Sequence, residues 1–170
     1  MFKMELKTMT PLNDIKLDMY DVREYDDELD DERSVIADIC EVFANTNRIR
    51  FIVSGFGSSH WPVDCRFDLP IIIEQLPEIK KKIDKDDFNF SLNFYEQGIE
   101  REINFTQDKD NIILECISRN NWVPEPSIIA MGKEDISRIF NMLYENFKSF
   151  STSICKDLST NHLLKAWMSI

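Results

Sequence analysis

Three closely spaced runs of alternating residues constrain this chain more than anything else in it. Phe88, Phe90, Leu92 and Phe94 alternate with Asn89, Ser91, Asn93 and Tyr95. Ile99, Arg101, Ile103 and Phe105 alternate with Glu100, Glu102 and Asn104, and the run Ile112–Ser118 follows. A period of two sends the two sets to opposite faces of a strand. Glu96-Gln97-Gly98 and Gln107–Asn111 are turns short enough to join antiparallel neighbours, so the segment predicts a three-strand meander. Its apolar face needs a cover, and Lys133–Lys156 provides one. There Ile136, Ile139, Phe140, Leu143, Phe147, Phe150 and Ile154 recur every three or four residues, the stripe of an amphipathic helix.

The rest of the chain is arranged around that unit. Phe2, Met4 and Leu6 alternate with Lys3, Glu5 and Lys7 as a half-buried strand, and Leu12, Ile15, Leu17 and Met19 suggest a second after Pro11. Ser34–Ala44 fits either period. Its β-branched residues, and the turn-like Asn45-Thr46-Asn47 before Arg48–Phe56, favour a hairpin. Gly55–Pro62 reads as a loop and Val63–Asp68 alternates again. Asp68 as N-cap with Pro70 in the first turn then starts a short helix, which Pro77 is expected to bend or interrupt. Asn120–Gly132, with two prolines, reads as a connection, and Asn161–Met168 as a last short helix. The expected architecture is α+β, with residues 1–170 a single domain. An antiparallel sheet of about six to seven strands, meander included, carries the long C-terminal helix and a shorter one on one face.

Charge is distributed unevenly. Twelve acidic residues and three basic ones lie between Asp14 and Glu41, within a chain of net charge −11, so the remainder is nearly neutral. The densest part is an acidic, solvated loop at about residues 21–33, since so many carboxylates are costly to bury. Asp21, Glu24, Asp26, Asp27, Glu28, Asp30, Asp31 and Glu32 are therefore the candidate partner-binding residues. Such a patch repels phosphate backbones and anionic membranes and attracts a basic protein.

Catalytic signals are weak. His60 and His162 are far apart and neither has a second metal ligand at local spacing, so no metal or cofactor is expected. The run Asp26-Asp27-Glu28-Leu29-Asp30-Asp31 lacks the ligand order and central glycine of a calcium loop. Ser58, Ser59, His60 and Cys65 cluster without a nucleophile motif, so their plain reading is loop polar groups; a small hydrolase with a site near Ser58–Cys65 is the weaker alternative. Asp64 and Asp68, with Arg66 between them, read as a charge-balanced strand face. Between the strand phenylalanines stand Asn, Ser and Glu with no basic partners, which suits a core and not an RNA-binding sheet. Cys40, Cys65, Cys116 and Cys155 form no CxxC pair and read as buried free thiols in a reducing cytoplasm. Neither a signal peptide nor a membrane span is legible.

Two blocks, VSGFGSSHWPVDCRFDLPIIIEQLPEI (Val53–Ile79) and NFYEQGIEREINFT (Asn93–Thr106), together with HLLKAW (His162–Trp167), resemble a family of small bacterial immunity proteins of the WapI type. These are cytoplasmic antidotes encoded beside polymorphic or contact-dependent toxins. The resemblance implies a non-enzymatic protein whose partner is the C-terminal domain of a cognate toxin. That domain is expected to be a basic nuclease whose substrate-binding surface the antidote covers. An adaptor for some other basic protein is the alternative.

Overall fold

The alternating N-terminal run forms strand β1 (Lys3–Thr8), which turns Met4 and Leu6 into the core beside Phe2. The computed structural model describes residues 1–12 and 23–169. The strand expected from Leu12 to Met19 therefore falls, beyond Leu12 itself, outside the described residues, as does Asp21. The partner of β1 is remote in sequence. It pairs antiparallel with β2 (Ile49–Ser54), Lys3 opposite Ser54 and Thr8 opposite Ile49.

The hairpin expected between Ser34–Ala44 and Arg48–Phe56 is accordingly not formed, and Ser34–Ala44 is helical, within α1 (Glu32–Thr46). The ends decide between the two periods. The Asp31 carboxylate accepts the Arg33 N–H as N-cap, and Asn47, with φ of 53°, returns its own N–H to the Ala44 carbonyl. Between these caps Val35, Ile36, Ile39, Val42 and Phe43 are buried. Their burial outweighs the few tenths of a kcal/mol per residue that β-branching costs a helix, roughly.

Val63–Asp68 turns instead of extending. Asp64 Oδ1 accepts the Phe67 N–H at 2.7 Å, and Asp68 Oδ2 accepts the Asp64 N–H at 2.8 Å. Asp68 is thus the first residue of α2 (Asp68–Ile83), buried at 5% exposure, and is neither the N-cap nor part of a charged surface. Pro77 does not interrupt this helix. A proline has no N–H, which deprives the carbonyl four residues earlier of its helical donor. That carbonyl, of Ile73, accepts the Trp167 indole N–H at 3.0 Å instead.

Strands β3 (Phe90–Phe94), β4 (Arg101–Asp108) and β5 (Asn111–Ser118) are consecutive antiparallel neighbours. A fourth, β6 (Ile128–Gly132), pairs with the outer edge of β5 where only a connection was expected. The α+β class holds, with the strands divided between a two-stranded and a four-stranded sheet. Helix α3 (Lys133–Ile154) starts directly after β6 and packs on both β1 and the four-stranded sheet. A short helix α4 (Lys156–Ser159) follows, and two 3-10 turns, His162–Leu164 and Trp167–Ser169, stand in place of the single helix expected at 161–168. Phe2 joins the two sheets, its ring 6.1 Å from Phe56, 6.3 Å from Trp61 and 6.5 Å from Phe105.

Candidate functional site

The described part of the acidic segment is an ordered turn leading into α1. The Asp26 carbonyl accepts the N–H groups of Leu29 and Asp30, Asp26 Oδ1 accepts the Glu28 N–H, and Asp30 Oδ2 accepts the Asp26 N–H. Arg23 clamps this turn to the helix, donating to Asp30 Oδ1 at 2.8 Å and to Asp38 Oδ2 at 3.0 Å. The Tyr25 hydroxyl donates to the same Asp38 oxygen at 2.6 Å, and the Arg23 guanidinium lies 4.8 Å from the Tyr25 ring centre. The Asp26 N–H, with Ser34 and Arg23 adding to it, holds the Asp30 carboxyl below its ordinary pKa.

The clamp sorts the candidate residues into two groups. Asp30 is spent on Arg23 and Asp26, and Asp31 on capping α1. The exposed side chains of Glu24, Glu28 and Glu32 have no hydrogen-bond partner among the described residues, while exposed Asp27 meets His162 Nε2 at 2.8 Å. Leu29 projects between them at 85% exposure. The turn thus presents an apolar tip ringed by carboxylates, on backbone already ordered by its own hydrogen bonds.

The loop of Ser58, Ser59, His60 and Cys65 assembles no nucleophile–base pair. The Ser58 hydroxyl donates to the His60 backbone carbonyl at 2.8 Å and not to its ring, His60 is exposed, and burial pushes the Cys65 thiol up to about 11. The other three thiols are also buried and unpaired, each raised by the same desolvation, Cys116 to about 11 and Cys155 to about 12. Among the described residues no three metal-ligating side chains gather, and no helix is long and apolar enough to cross a membrane.

A second arrangement carries no sequence motif. Arg101, the first residue of β4, is buried at 5% exposure with its guanidinium in the corner made by two indoles whose planes stand at 61° to each other. Its central carbon lies 4.2 Å from the Trp61 ring centre and 3.7 Å from that of Trp122. Trp61 is fixed by its own N–H to the Gly55 carbonyl and by edge contacts with Phe94 and Trp122. The period of two does contain the signal: Arg101 shares its strand face with Ile103 and Phe105, so a cation stands at an inward position. Desolvation lowers its pKa from the ordinary arginine value, and no carboxylate offsets this. No family model, curated protein or solved structure matches the chain.

Proposed function

We propose that this chain is an immunity protein that captures a basic toxin domain, of nuclease type, on the turn Arg23–Glu32 and covers its substrate-binding surface. The family resemblance of the Val53–Ile79 and Asn93–Thr106 segments suggests the kind of partner. The observation that carries the reading is the division of labour in the acidic turn. Arg23, Asp30 and Asp31 hold the shape, which leaves Glu24, Asp27, Glu28 and Leu29 facing outward. A nuclease that binds phosphates presents a basic face, and the outward carboxylates steer that face into contact while Leu29 supplies an apolar anchor.

The triple substitution Glu24→Gln, Asp27→Asn, Glu28→Gln removes three charges and leaves the Arg23 clamp intact. Against the toxin domain encoded beside this chain, it is expected to slow association by about tenfold or more at low salt, with dissociation little changed. Leu29→Ala is expected to act mainly on dissociation. An association rate untouched by the triple substitution removes the turn from the interface.

A further inference from the structure

The outermost strand of a sheet carries a row of unpaired N–H and C=O groups, and natural chains blunt such edges. Three of the four edges here are blunted. β1 bears Lys3, Glu5 and Lys7, and the Asn146 amide donates to its Leu6 carbonyl at 3.1 Å. β2 gives its outer edge to the loop that follows, where the Trp61 N–H bonds the Val53 carbonyl at 2.9 Å. Beside β3, the Gln75 amide takes both main-chain groups of Asn93, accepting its N–H at 2.9 Å and donating to its C=O at 2.8 Å. β6 has none of these devices. Ser127–Gly132 holds no charge and no proline, and β5 is its one strand partner among the described residues. The Ser127 carbonyl accepts the Cys116 N–H of β5 at 2.8 Å, so strand alternation turns Ile129 and Met131 to β5 as well. The N–H and C=O of Ile128 and Ala130 therefore point away from the sheet, and no hydrogen bond to them occurs among the described residues. Both side chains lie on the outer face, Ile128 at 54% exposure and Ala130 exposed too.

We propose that this edge is the seam of a homodimer, in which β6 pairs antiparallel with β6 of a second copy. The occupant follows from the groups on offer, which belong to two outward residues and no more. Pro126 on one side has no N–H to give. Gly132 on the other caps α3, and its carbonyl accepts the first bond of that helix. A second β6 matches this short row completely. With Ile128 opposite the partner's Ala130, and Ala130 opposite the partner's Ile128, every free group of both copies is paired. Sliding the register either way breaks the match. Ile128 opposite the partner's Ile128 sets Ala130 against a proline, and Ala130 opposite the partner's Ala130 sets Ile128 against the committed Gly132 carbonyl. Charge permits the pairing, since Ser127–Gly132 brings no like charges together across the two-fold axis. On the outer face Ile128, Ala130 and the adjacent Ile113 of β5 form an apolar centre, with Glu115 beside Ile128 as polar rim. On the inner face the axis passes between half-buried Ile129 and its twin. So small a seam makes a dimer that exchanges with monomer. It uses no residue of the acidic turn and stands or falls independently of the proposed toxin partner.

Sedimentation velocity of the chain, from about 1 to about 500 µM, tests the seam directly. The average sedimentation coefficient is expected to climb with concentration. Two variants leave the ladder to β5 intact and strike only the free edge. Ala130→Lys sets a cation on each side of the axis, and Ala130→Pro removes one outward N–H. Each is expected to weaken dimerisation at least tenfold while circular dichroism stays that of the folded chain. The register has its own readout in cysteine trapping, because the four native thiols are buried. Ile129→Cys faces its twin in a non-hydrogen-bonded pair, with Cα atoms about 4.5 Å apart, and is expected to oxidise to a covalent dimer. Ile128→Cys lies diagonally from its twin, about 7–8 Å away, and is expected to cross-link at least tenfold more slowly. A monomer at every concentration, which would leave the edge to a strand of another protein, would overturn the proposal. So would a dimer indifferent to both Ala130 variants, or Ile128→Cys cross-linking as fast as Ile129→Cys.

Discussion

At the scale of single residues, two ionisable side chains sit where an apolar one is expected, and both begin an element. Arg101 was visible in the sequence as a cation on the inward face of an alternating run, but its cage was not, because Trp61 and Trp122 come from loops 40 and 21 residues away. Asp68 was legible as a helix-start residue, but its burial was not, since that follows from Asp64 turning back to it. One Asp68 oxygen is buried without a partner, and burial, with the Asp64 and Glu96 charges adding to it, raises the carboxyl to about 6. The sign of the consequence is fixed by linkage. Between the ordinary value of 3.8 and about 6, the folded chain holds a proton that the unfolded chain has released. Stability from this group is therefore present at low pH and is lost as pH rises through about 6. In urea titrations at pH 5 and pH 7, the wild type is expected to gain stability relative to Asp68→Asn on going to the lower pH. An equal pH response in the two proteins would place the proton elsewhere.

At the scale of elements, the meander was legible because each of its strands has one face against the core and one in solvent, so burial writes the period directly into the sequence. Helix α1 was not, because Val35, Ile36, Ile39, Val42 and Phe43 suit a strand as well as a helix stripe, and the deciding groups, Asp31 and Asn47, lie at its ends. The pairing of β1 with β2 is equally hidden, since nothing local connects two segments separated by the whole of α1. β6 hides for a third reason: as an edge strand between Pro126 and α3, it buries only Met131 and so shows no alternation. The survival of α2 through Pro77 also rests on a remote residue. Replacing Trp167 with Phe removes the donor to the Ile73 carbonyl and is expected to cost roughly 1–3 kcal/mol, the price of an unsatisfied buried acceptor, beyond the lost packing. Pro77→Ala restores an N–H for the same carbonyl. In a double-mutant cycle by chemical denaturation, Trp167→Phe should therefore cost about 1 kcal/mol less in the Pro77→Ala background. Strict additivity would show that the indole does not mend the helix.

At the scale of the whole molecule, composition revealed where the charge lies but not how it is used. Twelve acidic residues stand between Asp14 and Glu41 in a chain of net charge −11. Of the candidate residues, Asp26, Asp30 and Asp31 are committed to building the turn and the start of α1, so the outward set is smaller and more specific than the acidic run itself. His162 on Asp27 further joins the C-terminal end of the chain to that surface. The reading as an antidote for a basic toxin rests on this pre-ordered charge, and charge acting at a distance is screened by salt. The most direct measurement is the association rate of the chain with the proposed cognate toxin domain, followed by stopped flow as salt rises from about 10 to about 150 mM. Over that range the screening length falls from roughly 30 to roughly 8 Å. The account predicts a fall in association rate of about tenfold or more, with the dissociation rate nearly constant. An association rate independent of salt would contradict it.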